Sequence, residues 1–294
     1  MAKISAKQVK ELRDITGVGM MDAKKALVEV DGDMDQAGEF LRTKGLAKAA
    51  KKADRIAAEG LASTYVSGNT AAVVEINSET DFVAKNEQFQ ELVKTVVEAV
   101  ANNKPADLEA AKQIEIDGKT IDTIITEATT VIGEKLDFRR FELLTKEDGD
   151  VFGEYVHAGG SIASIVKIKN SDNEEVARDV AMHIAAINPR YVNPEQVDQE
   201  VYDHEKQVQT EKSLAEGKPA NIVEKMVEGR MHKFLAEISL TEQDFIKEPD
   251  LTVAKYVAQN GGGEVESFVR YQVGEGLEKR QDNFADEVAA QMKK

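Results

Sequence analysis

Residues 64–76 read Thr64-Tyr65-Val66-Ser67-Gly68-Asn69-Thr70-Ala71-Ala72-Val73-Val74-Glu75-Ile76, and residues 154–168 read Glu154-Tyr155-Val156-His157-Ala158-Gly159-Gly160-Ser161-Ile162-Ala163-Ser164-Ile165-Val166-Lys167-Ile168. In each, Tyr-Val leads through a glycine turn into a short apolar run, the pattern of a β-hairpin. An amphipathic helix follows each hairpin. Phe89, Leu92, Val93, Val96 and Val97 share one face in the first; Val176, Val180, His183, Ile184 and Ile187 do so in the second. Each unit closes with a similar strand: Gly133-Glu134 before Phe138, Arg140 and Phe141, and Gly263-Glu264 before Phe268, Arg270 and Tyr271, at the same spacing. An internal repeat of this kind predicts an α+β fold with a duplicated core, two small antiparallel sheets covered by helices.

The copies differ where hairpin meets helix. The second joins them through Asn170-Ser171-Asp172-Asn173-Glu174. The first inserts Glu79-Thr80-Asp81-Phe82-Val83-Ala84-Lys85 between Asn77-Ser78 and Asn86-Glu87. The shorter join suffices in the second copy, so the fold does not require the extra residues. Phe82 is a large aromatic in a connection of the kind that is ordinarily polar and superficial. It either folds back into the core or is held out for a partner.

The flanks are helical. Ser5-Ala6-Lys7-Gln8 is a capping box, with Val9, Leu12 and Ile15 as the apolar stripe of a first helix. A second helix starts near Asp22 with Ala26, Leu27 and Val30 inward; a third follows Asp33, with Ala37, Phe40 and Leu41 inward, and is expected to end before Gly45. These make a small three-helix bundle. Met20-Met21, after a glycine turn, is either core filling or an adaptable contact surface. Lys44, Lys48, Lys51, Lys52 and Arg55 form a basic segment that reads as a solvated helical linker, the alternative being a contact for RNA or an acidic partner; no aromatics interleave to give bases a stacking platform. Within the second copy, Asn193-Pro194 opens a polar helix carrying Val197, Val201, Val208 and Leu214. Gly217-Lys218-Pro219 turns the chain into a helix with Ile222, Val223, Met226, Val227 and Met231, an inserted helical hairpin. After Gly274-Glu275-Gly276, a C-terminal helix places Phe284, Val288 and Met292 on one face. The expected organisation is a helical module and linker at 1–55 and the first repeat at 56–146. The second repeat occupies 147–192 and 233–273, with the hairpin at 193–232 between its parts, and a C-terminal helical module fills 274–294.

The chain has 294 residues, 41% hydrophobic, with no cysteine and no tryptophan. No thiolate chemistry or disulfide framework is available, and no apolar run is long enough to span a bilayer. No membrane partner is expected, and the expectation is a cytoplasmic protein. A formal net charge of −16 disfavours non-specific nucleic-acid binding and favours partners with basic patches. Asp31, Asp33 and Asp35 resemble the start of a calcium loop, but Gln36 and Arg42 stand where that loop needs Gly and Glu. Gly118-Lys119-Thr120 lacks the leading glycine of a phosphate-binding loop, with Gln113 in its place. His204-Glu205 lacks the second histidine of a zinc-protease helix, Val208 standing there. Gly159-Gly160-Ser161 sits at a hairpin tip, where no nucleophile elbow occurs. No catalytic residue, metal ligand or cofactor site is nominated, which points to a binding or regulatory protein.

Over essentially its full length the sequence resembles the bacterial elongation factor Ts family. The markers are Leu12-Arg13 with the run Thr16-Gly17-Val18-Gly19-Met20-Met21-Asp22-Ala23-Lys24-Lys25-Ala26-Leu27, then Thr80-Asp81-Phe82-Val83-Ala84-Lys85, Gly229-Arg230-Met231 and Gly274-Glu275-Gly276. The resemblance implies a guanine-nucleotide exchange factor of elongation factor Tu, with no cofactor. It implies that Thr80, Asp81, Phe82 and Val83 intrude into the GTPase domain and help dislodge its Mg²⁺. It places further partner contacts at Arg13, Met20, Met21 and Lys24 of an N-terminal module like the ubiquitin-associated bundle, and at His157 and Ile238 of the core. The final helix corresponds to a module that also reaches the GTPase domain. The helical hairpin corresponds to a region that dimerises some members, so a homodimer through it is an expectation here.

Overall fold

Ser5 sets where the chain first becomes helical. In this computed structural model, which describes residues 4–216 and 219–278, its hydroxyl accepts from the Gln8 N–H at 3.2 Å. The Gln8 side chain in turn accepts from the Ser5 N–H at 3.0 Å. Two donors at the helix start are thereby satisfied reciprocally. Helices α1 (Ala6–Thr16), α2 (Met20–Glu29) and α3 (Met34–Ala50) enclose a core of Val9, Leu12, Val18, Ala23, Ala26, Leu27 and Ala37. Ile15 departs from the expected stripe: it is 71% exposed. Gly17, left-handed at φ +69°, turns the chain one residue after α1 ends, and Val18 enters the core beyond it.

The first hairpin is β1 (Glu59–Ser67) and β2 (Thr70–Ser78), the latter buried throughout. A single turn, α4 (Asp81–Ala84), precedes α5 (Glu87–Asn103), which Asn86 caps by accepting from the Gln88 and Phe89 N–H groups. Phe89, Leu92, Val93, Val96, Val97 and Val100 form the buried face of α5, each worth about 1.5–3 kcal/mol when fully removed from water. Next come α6 (Leu108–Lys112), a minimal ribbon of β3 (Glu115–Ile116) and β4 (Lys119–Thr120), α7 (Ile121–Ile132), and β5 (Asp137–Thr145), which joins the hairpin in the order β1-β2-β5. Contrary to expectation, α3 runs through Gly45 to Ala50. Gly45 is buried because Thr130 of α7 lies against it; a Cβ there would sit 2.9 Å from the Thr130 hydroxyl. The glycine serves close helix approach and does not end the helix.

The second copy repeats this plan. β6 (Val151–His157) pairs antiparallel with β7 (Ile162–Lys169), from Val151 opposite Ile168 to His157 opposite Ile162. Then come α8 (Glu174–Ile187) and a 3₁₀ turn, Pro194–Gln196. Asn193 caps that turn, and the expected polar helix begins only afterwards, as α9 (Gln199–Ala215). α10 (Ala220–Ile238) packs back on α9 through Val223, Val227 and Met231, with Tyr202 and Phe234 alongside. A ribbon of β8 (Asp244–Phe245) and β9 (Glu248–Thr252), then α11 (Val253–Asn260), leads to β10 (Glu264–Gln272). The sheet order is β10-β7-β6, again with the third strand beside the second arm of the hairpin. The two-residue strands β3, β4 and β8 escaped sequence reading because they are too short to show a period. His183 is a satisfied core histidine. Its Nε2 lies 2.9 Å from the Gln243 side-chain oxygen, and its Nδ1 accepts from the Ile246 N–H at 3.2 Å.

The chain forms two compact units. One holds residues up to 62, residues 74–141 and the described residues from 272; the other holds 63–73 and 142–271. The turn expected at Gly217-Lys218-Pro219 lies at residues 217 and 218 outside the described residues, as do Phe284, Val288 and Met292 of the expected C-terminal helix. Among the described residues, no helix is long and apolar enough to cross a membrane.

Candidate functional site

Phe82 stands out of the core. Its side chain is 77% exposed at the start of α4, beside exposed Asp81, while Val83 is buried. The alternation is forced by the helical turn: with Val83 seated on the core, Phe82 points away. Val83, expected among the contact residues, therefore anchors the loop in the free protein. Lys85 reaches back to Asp81 at 3.0 Å and lies 5.7 Å from the Phe82 ring centroid. That pair is solvated on both sides, so it contributes little to holding the loop.

What holds the loop lies at its base. Thr80 precedes α4 but makes no capping bond with its side chain. Its N–H donates to one Glu134 oxygen at 2.9 Å and its hydroxyl to the other at 2.7 Å. Glu79, the residue before, accepts from the Lys135 N–H at 2.6 Å and from the Arg55 guanidinium at 3.1 and 3.2 Å. Each acid thus takes the backbone N–H that follows the other acid, a crossed clamp between the loop and the turn after α7. The Ser78 hydroxyl adds a bond to the Thr80 carbonyl at 3.0 Å. The Lys135 ammonium donates to the carbonyls of Ala53 and Arg55 at 2.7 and 3.0 Å, and Lys52 donates to the Gly133 carbonyl. Partial burial, and after it the neighbouring Arg55 cation, lower the Lys52 ammonium below its ordinary pKa. The basic segment after α3 is in part a brace for this turn. Sequence reading missed Glu79 and Glu134 as members of the site. The available signal was a Gly-Glu pair at matching positions of both copies, with an extra loop in only one.

The N-terminal module presents a second exposed surface in the same unit. Met20 and Met21 are 46% and 63% exposed, and Arg13, Ile15 and Lys24 are exposed as well. The methionines are therefore surface and not core. His157 and Ile238 belong to the other unit. His157 ends β6 in the open, its Nδ1 3.3 Å from the Tyr155 hydroxyl. Ile238 is half-buried at the end of α10, its carbonyl accepting from the N–H groups of Arg190 and Tyr191 at 2.9 and 3.1 Å.

Among the described residues no cluster of three or more His, Asp or Glu side chains is arranged to hold a metal ion. What the exposed Asp81-Phe82 tip offers is a protrusion hydrogen-bonded at its base. A sequence model of the family described as Elongation factor TS matches residues 79–275, from the acid of the clamp to the Gly274-Glu275 segment. The chain belongs to the elongation factor Ts family. It is 59% identical over 292 residues to elongation factor Ts of Pediococcus pentosaceus, covering 99% of both chains. It is 58% identical over 294 residues, the whole of both chains, to elongation factor Ts of Lacticaseibacillus casei, and equally so to that of Lacticaseibacillus paracasei. Members of this family are translation elongation factors, and the clamped loop falls at the first residues of the matched region.

Proposed function

We propose that this chain is the guanine-nucleotide exchange factor of elongation factor Tu in the cytoplasm, with Asp81 and Phe82 as the tip that intrudes on the partner's nucleotide site and displaces its Mg²⁺. The observation that carries the reading is Phe82 itself, 77% exposed on a loop that the second copy of the fold does without.

Magnitudes limit what the tip does alone. A GTPase that holds nucleotide at nanomolar strength commits about 12 kcal/mol to it. Burying one phenylalanine supplies about 1.5–3 kcal/mol. Most of the opposing free energy therefore comes from a wider interface, to which we assign Arg13, Met20, Met21 and Lys24 of the N-terminal module and His157 and Ile238 of the core. Methionines suit such a surface, since an unbranched thioether repacks against many shapes. Lys52 and Arg55 already serve the loop base, so the reading requires no nucleic-acid contact from the basic segment. The helical hairpin is assigned to self-association, on the exposed Val208, Leu214 and Ile222 along it. A sedimentation mass near one chain at micromolar concentration would exclude that assignment.

Release of a fluorescent GDP from elongation factor Tu tests the function. The parent chain accelerates release, and Asp81→Ala and Phe82→Ala lower the maximal rate. No acceleration by the parent ends the exchange reading; unaffected variants end the role of the tip.

A further inference from the structure

We propose that Glu134, seconded by Glu79, is the positioning residue that holds the Asp81-Phe82 tip in its exposed, partner-ready conformation; this rests on the exchange reading above. A helix of one turn such as α4 does not sustain itself in water, because nucleation consumes more order than one turn's bonds return. Its placement must come from its ends and from what it seats. At the far end Asn86 is committed to capping α5. In the middle Val83 is buried. At the near end, both donors of Thr80 go to the Glu134 carboxylate, at 2.9 and 2.7 Å. A bidentate grip on adjacent backbone and side-chain donors fixes direction as well as distance, and charged acceptors make the stronger hydrogen bonds.

The second copy supplies an internal control. Its Glu264 also follows a glycine, but it opens β10 and is exposed, whereas Glu134 lies in the turn between α7 and β5. There the short join is tied without it: the Ser171 hydroxyl donates to the Gly261 carbonyl at 2.8 Å and the Asn173 amide to the Asn260 carbonyl at 3.1 Å. The fold closes this corner with backbone carbonyls where no loop is presented. Among the described residues, the carboxylate that ties this corner is found in the copy that carries the tip. Glu79 completes the arrangement from the opposite direction through the Lys135 N–H and Arg55. A wedge that is preordered spends less of its contact energy on ordering when it enters its partner.

Two measurements test this. In the free chain, amide hydrogen exchange across residues 80–86 becomes roughly tenfold faster in Glu134→Ala, the order expected for losing bonds to a charged acceptor. Glu134→Gln, which keeps one acceptor oxygen, lies between, and Thr80→Val shows a smaller increase. Unchanged exchange in Glu134→Ala overturns the proposal whether or not the chain acts on elongation factor Tu. In the GDP-release assay, Glu134→Ala lowers the maximal rate roughly tenfold with a smaller change in the half-saturating concentration, and Glu134→Gln restores part of it. The loss vanishes in an Asp81→Ala/Phe82→Ala background, because a misplaced tip without either side chain has nothing further to lose. A loss that persists undiminished there marks a merely structural residue and sinks the positioning role. A parent chain that does not accelerate release ends the exchange reading, while the hydrogen-exchange arm still decides what Glu134 holds.

Discussion

Glu75 is fully buried on β2 and accepts from Arg139 at 2.9 Å, Arg140 at 2.6 Å, the Asn77 amide at 3.0 Å and the Gly274 N–H at 2.8 Å. Burial alone would raise its carboxyl; the Gly274 N–H, Arg140 and Asn77 together bring it below the ordinary carboxylate range. The segment after β10 is thereby fastened to the first sheet. Gly274 also lies so close to Ala58 that a Cβ would meet its carbonyl oxygen at 2.2 Å. Glu75→Gln leaves two guanidiniums facing a neutral amide and is expected to cost about 3 kcal/mol, read as a lower urea midpoint at unchanged slope. His183 gives a pH-dependent counterpart. Burial lowers its pKa, against a smaller opposite effect of Gln243. The unfolded chain then binds the proton first, so this contribution is complete above about pH 6.5 and is lost as pH falls below it. His183→Gln should show a smaller drop in unfolding free energy between pH 7.5 and pH 5.5 than the parent; an equal drop assigns the loss to other groups. At this scale the sequence told less than at any other. Phe82 was singled out by comparing the two copies, but its exposure was left open. Glu134 was visible only as a repeat marker, because its bonds reach Thr80 across 54 positions of chain, a distance no local pattern encodes.

Among the elements, the two hairpins, the helices that cover them and the third strands were legible, because period-2 and period-3.6 patterns recur there at full strength in both copies. The failures have physical causes. Ile15 follows the stripe of α1 yet stays in solvent, since the chain reverses before anything covers it. Gly45 reads as a stop and is instead a contact. Changing it to alanine pits a gain in helix propensity of about 1 kcal/mol against the Thr130 hydroxyl 2.9 Å from the new methyl. Gly45→Ala alone is therefore expected to be near neutral or destabilising. With Thr130→Ala added, the clash is gone and the propensity gain remains, giving a coupling of about 0.5–3 kcal/mol in thermal melts of the four chains. Additive melts would mean that α3 and α7 shift apart at no cost. The middle strands also carry buried charges of opposite sign: Glu75 meets arginines of β5, whereas Lys167 meets Glu266 of β10 at 2.6 Å. Exchanging the third strands between copies would bring Arg139 and Arg140 toward Lys167, a like-charge penalty that helps duplicated halves find their own partners.

For the whole molecule, linkage decides how a single exposed ring can matter against a nucleotide bound about 12 kcal/mol deep. If this chain weakens GDP on elongation factor Tu by some factor, GDP must weaken the chain's binding by the same factor. In the proposed exchange reading the burial of Phe82 is one part of that factor, about 1.5–3 kcal/mol, or roughly ten- to hundredfold in an equilibrium constant. Two ratios follow. One compares the affinity of the chain for nucleotide-free and for GDP-bound partner; the other compares the affinity of GDP for free and for chain-bound partner. They are equal in the parent, and Phe82→Ala lowers both by the same roughly ten- to hundredfold. The exposed methionine surface belongs to the interface proposed above to oppose the nucleotide, so Met20→Ala and Met21→Ala are expected to lower both ratios as well, each by less than Phe82→Ala. Titration calorimetry with and without GDP measures all four constants. A Phe82→Ala chain with both ratios intact but slower GDP release would place the ring in the transition state alone. The wide interface, and not the tip, would then carry the entire equilibrium opposition to the nucleotide.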